Sequence, residues 1–151
     1  MSLDQQTSLS SDDIAELLAR HETAVLSLAK ADIPYAIPIS YGYDTTEGRF
    51  YFRLVSTPES EKRDFLTSSP RARIVVQESD GNVYRSAIAE GTLEQVPTSE
   101  LTPERIVQYG NAKRPLFEIW ANSKKDLDIQ LFELDPKSLG GREVRVEQDE
   151  E

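Results

Sequence analysis

Between residues 34 and 43 the chain alternates so sharply that only an extended conformation makes sense of it. Successive strand residues point to opposite faces, so Tyr35, Ile37, Ile39, Tyr41 and Tyr43 share one side. The other side carries Pro34, Ala36, Pro38, Ser40 and Gly42, all small. The large face is a core face, and the small face leaves room for something flat to lie against the backbone. Proline has no N–H to donate to a neighbouring ladder and favours edges and bulges. Two readings stay open at this point: an ordinary edge strand, or an edge strand that carries a flat ligand.

The remaining sequence predicts more strands of the same kind. Ser10 or Ser11 caps a short helix through Arg20, with Asp12 and Asp13 in its first turn and Ile14, Leu17 and Leu18 on one face. His21, the only histidine, stands at that helix end, where it can meet the last carbonyls. Ala24 to Ala29 reads as a strand and Asp32 as a turn. Asp44 to Gly48 is a hairpin loop before a cleanly alternating strand, Arg49 to Val55. Thr57-Pro58 opens a helix through Leu66. Strands follow at 71–78 and 83–96, joined by Asp80-Gly81, with a bulge expected at Gly91. Helices are expected at 102–109 and 112–122, a strand at 128–134, and a short terminal strand at 143–146 after Gly140-Gly141. Many antiparallel strands with few short helices indicate a mainly β, closed or partly closed small barrel.

At 151 residues the chain is large enough to bury one core without disulfides. We expect a loose arm at 1–9, a single domain at 10–146 and an acidic tail at 147–151. There is no cysteine, which excludes thiol catalysis and Cys-based metal sites and fits an intracellular, cytoplasmic protein. No run is long enough to span a bilayer. A formal charge of −10 repels nucleic acid and anionic membranes, so neither is an expected partner. Acid spread along the chain, with arginine outnumbering lysine, suggests a surface adapted to high salt, where screening removes self-repulsion. An ordinary acidic protein is the alternative.

No catalytic constellation of side chains is visible. An anion site is. Arg53 ends a strand, Ser56 and Thr57 follow, and the helix after them offers free N–H groups, with Lys62 on its first turns. The competing reading pairs Arg53 and Lys62 with Glu59 or Glu61.

Several stretches, in order, are similar to the pyridoxamine 5′-phosphate oxidase-like family, the FMN-binding split barrel. They are residues 34–44, Arg49 to Arg53, Ser60-Glu-Lys-Arg-Asp-Phe-Leu66, Ser69 to Val76 and Tyr84 to Gly91. The resemblance covers about residues 11–96 and is nearest to small flavin-nucleotide-binding members from haloarchaea. It implies a Greek-key split barrel, usually a homodimer, with FMN at the subunit interface. On this resemblance Pro38, Ile39 and Ser40 lie along the isoalloxazine, and Arg53 and Leu54 meet the flavin and its phosphate. Ser60 and Lys62 contact the phosphate beside Ser56 and Thr57, and Ser86 lies near the ring. Glu61 stands where the oxidases often place a second basic ligand, and nothing after Asp135 matches their substrate-binding C-terminal segment. The resemblance thus implies an FMN-dependent oxidoreductase acting on a small molecule. A flavin carrier without turnover and a deazaflavin-using barrel are the alternatives. Trp120 could cover the flavin from a partner subunit, although a core or interface position is the plainer role.

Overall fold

The computed structural model describes residues 2–56, 61–68, 71–97, 99, 102, 103 and 128–147. Its elements run β1 (Ser2–Ser8), α1 (Ser11–Arg20), β2 (Thr23–Lys30), β3 (Ile33–Ser40), β4 (Gly42–Asp44), β5 (Arg49–Ser56), α2 (Glu61–Ser68), β6 (Arg71–Asp80), β7 (Val83–Gln95) and β8 (Asp128–Glu147). The strands form one sheet in the order β3-β2-β6-β7-β8-β5-β4, with β1 paired to β8. Every ladder is antiparallel.

That order explains the shape. Its outermost strands, β3 and β4, are consecutive in the chain with only Tyr41 between them. A sheet whose two outer strands are joined so tightly must curl until they meet. The result is the expected mainly β split barrel, with two short helices among the described residues. β3 pairs with β2 alone in the sheet order, so its prolines do sit on an edge.

The core is the inner face of this curl. It takes Leu26 and Leu28 from β2, Ile39 from β3 and Phe50, Phe52 and Leu54 from β5. Ile74 and Val76 come from β6, and Phe132 and Leu134 from β8. Tyr35, Ile37 and Tyr43 pack against it only partly buried, while Ile39 and Tyr41 are closed off. Full burial of one large apolar side chain contributes about 1.5–3 kcal/mol. The β5–β8 wall, with Phe50, Phe52 and Phe132 all buried, therefore outweighs the small-faced edge. Helix α1 closes one end. Ser10 caps it by accepting from the Asp13 N–H at 3.1 Å, and Ile14, Leu17 and Leu18 face the core. Tyr41 donates to the Leu18 carbonyl at 2.6 Å, tying the helix to the end of β3.

Three details depart from the sequence reading. Ser2–Ser8, expected as a loose arm, pairs with Arg142 to Glu147. Its order comes from a partner strand, which a segment without its own periodicity cannot advertise. The two separate strands expected near the C-terminus are one, β8, running through Pro136 and Gly140-Gly141. Proline is tolerated because the ladder slips there. Glu90 faces Ser138 and Gly91 faces Pro136, leaving Lys137 as the extra residue. Gly91 is thus beside the bulge rather than its extra residue. A Cβ on it would lie 2.6 Å from the Asp135 carbonyl oxygen. Gly141 gives α1 its seat, since a Cβ would meet Ile14 Cγ1 at 2.7 Å. The helices expected at 104–122, with Trp120, lie outside the described residues.

Candidate functional site

The small-faced strand and the expected anion site meet at the barrel seam. Gly42 of β4 faces Tyr51 of β5. Antiparallel geometry then takes Ser40, two residues upstream, to the level of Arg53, two residues downstream. Arg53 is half-buried and has no carboxylate partner among the described residues. In a chain with 27 acidic residues and 17 basic ones, such a guanidinium is notable. Ile39 and Leu54 turn their side chains into the core, at 2% and 1% exposure. Pro38 is exposed on the outer face.

From Pro38 the outer face continues as a row set by the ladder registers. Pro38 faces Val25, Val25 faces Val75, Val75 faces Ile88 and Ile88 faces Gly140. Val25 and Ile88 are each 42% exposed, so this row is an apolar band crossing five strands. A concavity of about 470 Å³ lies at its β3 end, lined by Thr23, Val25, Pro38, Val75 and Gln77. A second row runs beside the first, with Gln77 facing Ser86, Ser86 facing Arg142 and Arg142 facing Ser8. It lies in two adjoining concavities of about 520 and 400 Å³, both lined by Ser86 and Arg142. Gln77 links the first of these to the β3 groove.

A fourth concavity, about 570 Å³, lies between α1 and the β6–β7 turn. Its centre is Glu78. One carboxylate oxygen accepts from Arg20 Nε at 2.9 Å and lies 2.6 Å from His21 Nε2. The other accepts from Arg20 Nη2 at 2.6 Å and Arg85 Nη1 at 2.8 Å. Arg85 also donates to Glu143 at 2.7 Å. Hydrogen bonds from Arg20, then His21 and Arg85, hold the Glu78 carboxyl well below the usual carboxylate range. Glu78, Arg20, Arg85 and Glu143 are matched to one another, so this centre acts as a clamp between α1 and the sheet. His21 therefore serves a carboxylate, not the helix-end carbonyls that its position in the sequence suggested.

Elsewhere burial raises the tyrosine pKa values. Burial first, and then the Glu47 carboxylate, push Tyr51 up to about 12. Burial also raises Tyr41. These phenols stay protonated at neutral pH and donate hydrogen bonds, Tyr41 to Leu18 and Tyr51 to Glu47.

The expected site residues divide as follows. Pro38, Ser40, Arg53 and Leu54 come together at the seam. Ser86 stands three strands away from Pro38, about 14 Å at the usual strand spacing. Ser56 ends β5, facing Asp128 in register, and Lys62 is the second residue of α2. The side chains of Ser56 and Lys62 lie outside the described residues, as do Thr57 and Ser60 altogether. Gln77 and Arg142 were missed. Their signal was register: Arg142 is the cross-strand partner of Ser86, hidden by reading the glycine pair as a break before a separate strand.

Comparison with known proteins agrees with the fold. The chain resembles the FAD-binding protein from Mycobacterium smegmatis, at 15% identity and a TM-score of 0.67, over 93% of this chain and 100% of that one. The FAD-binding protein from Mesorhizobium loti aligns at 21% identity and a TM-score of 0.69, over 93% and 99%. The FAD and haem binding protein from M. smegmatis aligns at 19% identity and 0.62, over 98% and 77%. None of the curated proteins matches the sequence. The family model described as pyridoxamine 5′-phosphate oxidase matches residues 10–143. With that match spanning most of the chain and the split barrel it requires in place, this protein belongs to the pyridoxamine 5′-phosphate oxidase family.

Proposed function

We propose that the chain binds FMN and uses it as an oxidoreductase cofactor toward a small molecule. The observation that carries this reading is the seam, where a smooth outer strand face and a guanidinium without a carboxylate partner among the described residues share one level. That donor set suits a flat aromatic body with an anionic tail. Pro38 supplies a surface without side-chain bulk, and the backbone of Pro38, Ile39, Ser40 and Leu54 supplies hydrogen-bonding groups. Arg53, Ser56, Thr57, Ser60 and Lys62 hold the phosphate, helped by the positive end of α2. Glu61 follows Ser60 and weakens the local positive potential. Bound there, the flavin supplies the redox chemistry that no side chain of this protein provides. Family membership and the flavin-binding relatives support the same reading.

A second copy of the chain completes the site in this proposal. Ser86 and the seam are too far apart in one chain to share a ring, and a two-fold pairing brings one copy's second row to the other's seam. The band of Val25 and Ile88, both exposed, with the partly buried Val75 between them, supplies the apolar area for it. Light scattering should give a dimer mass, and Ile88→Lys should shift it to monomer; a monomeric parent would count heavily against the pairing.

The cofactor test is direct. The protein titrated with FMN should show flavin absorbance bands that shift on binding and bleach reversibly with a reductant. Lys62→Ala should weaken FMN by roughly 1.5–3 kcal/mol, about tenfold to more than a hundredfold, as a charge-assisted phosphate contact is lost. Riboflavin, lacking the phosphate, should be nearly indifferent. Equal FMN affinity in a folded Lys62→Ala protein would move the phosphate elsewhere. Comparing FMN, FAD and a deazaflavin identifies the flavin. Turnover with NAD(P)H separates an enzyme from a carrier.

A further inference from the structure

The free edges of the sheet are not alike. An exposed strand edge offers unpaired N–H and C=O groups to another chain, and is normally guarded by proline, lysine, a bulge or shortness. β3 carries Pro34 and Pro38, and β4 is three residues long. The stretch of β8 between its β5 and β1 partners holds Pro136 and the bulge at Lys137. β1 differs from these. It pairs with β8 on one side and, among the described residues, with no strand on the other. Ser2–Ser8 contains no proline, lysine or arginine, and its bulge at Asp4 leaves Gln5 to Ser8 in regular register.

One bond fixes which groups face the free edge. The Leu9 N–H donates to the Gly141 carbonyl at 3.0 Å, so Leu9 is directed at β8. Alternation then turns Thr7 and Gln5 toward β8, and Gln6 and Ser8 toward the free edge. Arg142 holds the strand in place, since its Nη1 and Nε donate to the Gln6 side-chain oxygen at 2.9 and 3.0 Å. Charge selects the partner. The chain is 29% charged with a net charge of −10, yet Asp4 is the only charged residue from Ser2 to Ser11. Two copies that approach by an acidic face repel one another, and by this edge they do so least. An antiparallel pairing with its two-fold axis at Gln6 sets Gln6 opposite Gln6, Gln5 opposite Thr7 and Asp4 opposite Ser8, with no like charges face to face. We propose that β1 pairs in this register with β1 of a second copy, joining two sheets edge to edge. The contact is separate from the outer-face band and does not depend on the flavin reading; where both form, the assembly is a dimer of dimers.

The test is the mass of the full chain by light scattering from roughly 10 µM to 1 mM, a range suited to an interface of one strand pair. The mass should double across that range, and at lower concentration in added NaCl, which screens the acidic bodies. Ser8→Pro removes an N–H that faces the free edge and no bond of the β1–β8 ladder. It should weaken the doubling about tenfold or more, with Tm close to the parent's. Cross-linking reads the register without relying on that variant, because the chain has no cysteine of its own. Gln6→Cys puts two Cα atoms about 5.5 Å apart across the axis, within disulfide reach, and should oxidise readily to a covalent dimer. Ser8→Cys puts its pair roughly 14 Å apart and should not. Ile88→Lys, on the outer face, should keep the doubling; whether it lowers the starting mass decides only the pairing proposed for the flavin site. A mass that never doubles, a doubling untouched by Ser8→Pro, or equal cross-linking of the two cysteine variants overturns the proposal. So does binding of a free Ser2–Ser8 peptide by a chain that itself stays at one mass, since the edge would then belong to a foreign strand.

Discussion

Replacing Glu78 with glutamine tests whether α1 is held to the barrel by charge. The carboxylate is only 12% exposed and receives four contacts between 2.6 and 2.9 Å. Glutamine keeps the shape, but its amide NH₂ cannot accept from a guanidinium. The contributions are unequal. Arg20 is 46% exposed, so solvent screens its share to about 0.2–1 kcal/mol. Arg85 is 24% exposed and loses a less screened bond, about 1.5 kcal/mol, while keeping Glu143. The sum is about 1.7–2.5 kcal/mol at neutral pH, which for a domain of this size lowers Tm by roughly 3–10 °C. The pH dependence has a fixed sign. Because folding lowers the Glu78 pKa from its ordinary 4.5, its contribution is present above that value and lost as pH falls through the folded one. Scanning calorimetry of parent and Glu78→Gln should therefore show the full gap at neutral pH, shrinking below about pH 4.5. A Tm unchanged by the substitution at neutral pH, or a gap as wide in acid, would refute the clamp.

Other expectations follow from single contacts. Tyr41→Phe leaves the Leu18 carbonyl without its donor and should cost about 1–2 kcal/mol, read from the urea midpoint; an unchanged midpoint would mean water replaces the hydroxyl. Gly91→Ala forces a Cβ against a backbone oxygen that cannot swing aside, so about 1–3 kcal/mol should be lost, whereas a neutral result would show that the β8 bulge can move. With a formal charge of −10, Tm should rise with added NaCl, and a Tm that is flat or falls with salt removes the argument for salt adaptation.

What could be read from the sequence was whatever a strand declares by its own alternation. Phe50, Phe52 and Leu54 identified β5, and the residues from Tyr35 to Tyr43 identified both the core face and the edge. The place of Arg53 on the outer face of β5 was legible for the same reason, since it alternates with Phe52 and Leu54. What depended on pairing was not legible. Ser2–Ser8 has no pattern of its own, and Pro136 and Gly140-Gly141 look like breaks until the ladder on either side carries the strand across them. Arg142 was lost for the same reason, since only the register puts it opposite Ser86. The Glu78 cluster draws on residues 20, 21, 78, 85 and 143, a set that no local spacing announces.

The twenty residues of β8 have a consequence in time. One of its edges pairs with β7, while β1 and β5 share the other end to end. All three partners precede it in the chain. On a ribosome, β2, β3, β6 and β7 can join as they emerge, since each neighbours another already made. β1 and the long edge of β5 must wait, exposed, for a strand not yet synthesised. Contacts between residues so far apart are slow to form, because the loop between them must close before any bond repays it. Barrel closure is thus expected to be the last folding event, and the interval before it is when these two unpaired edges would be open to a wrong partner.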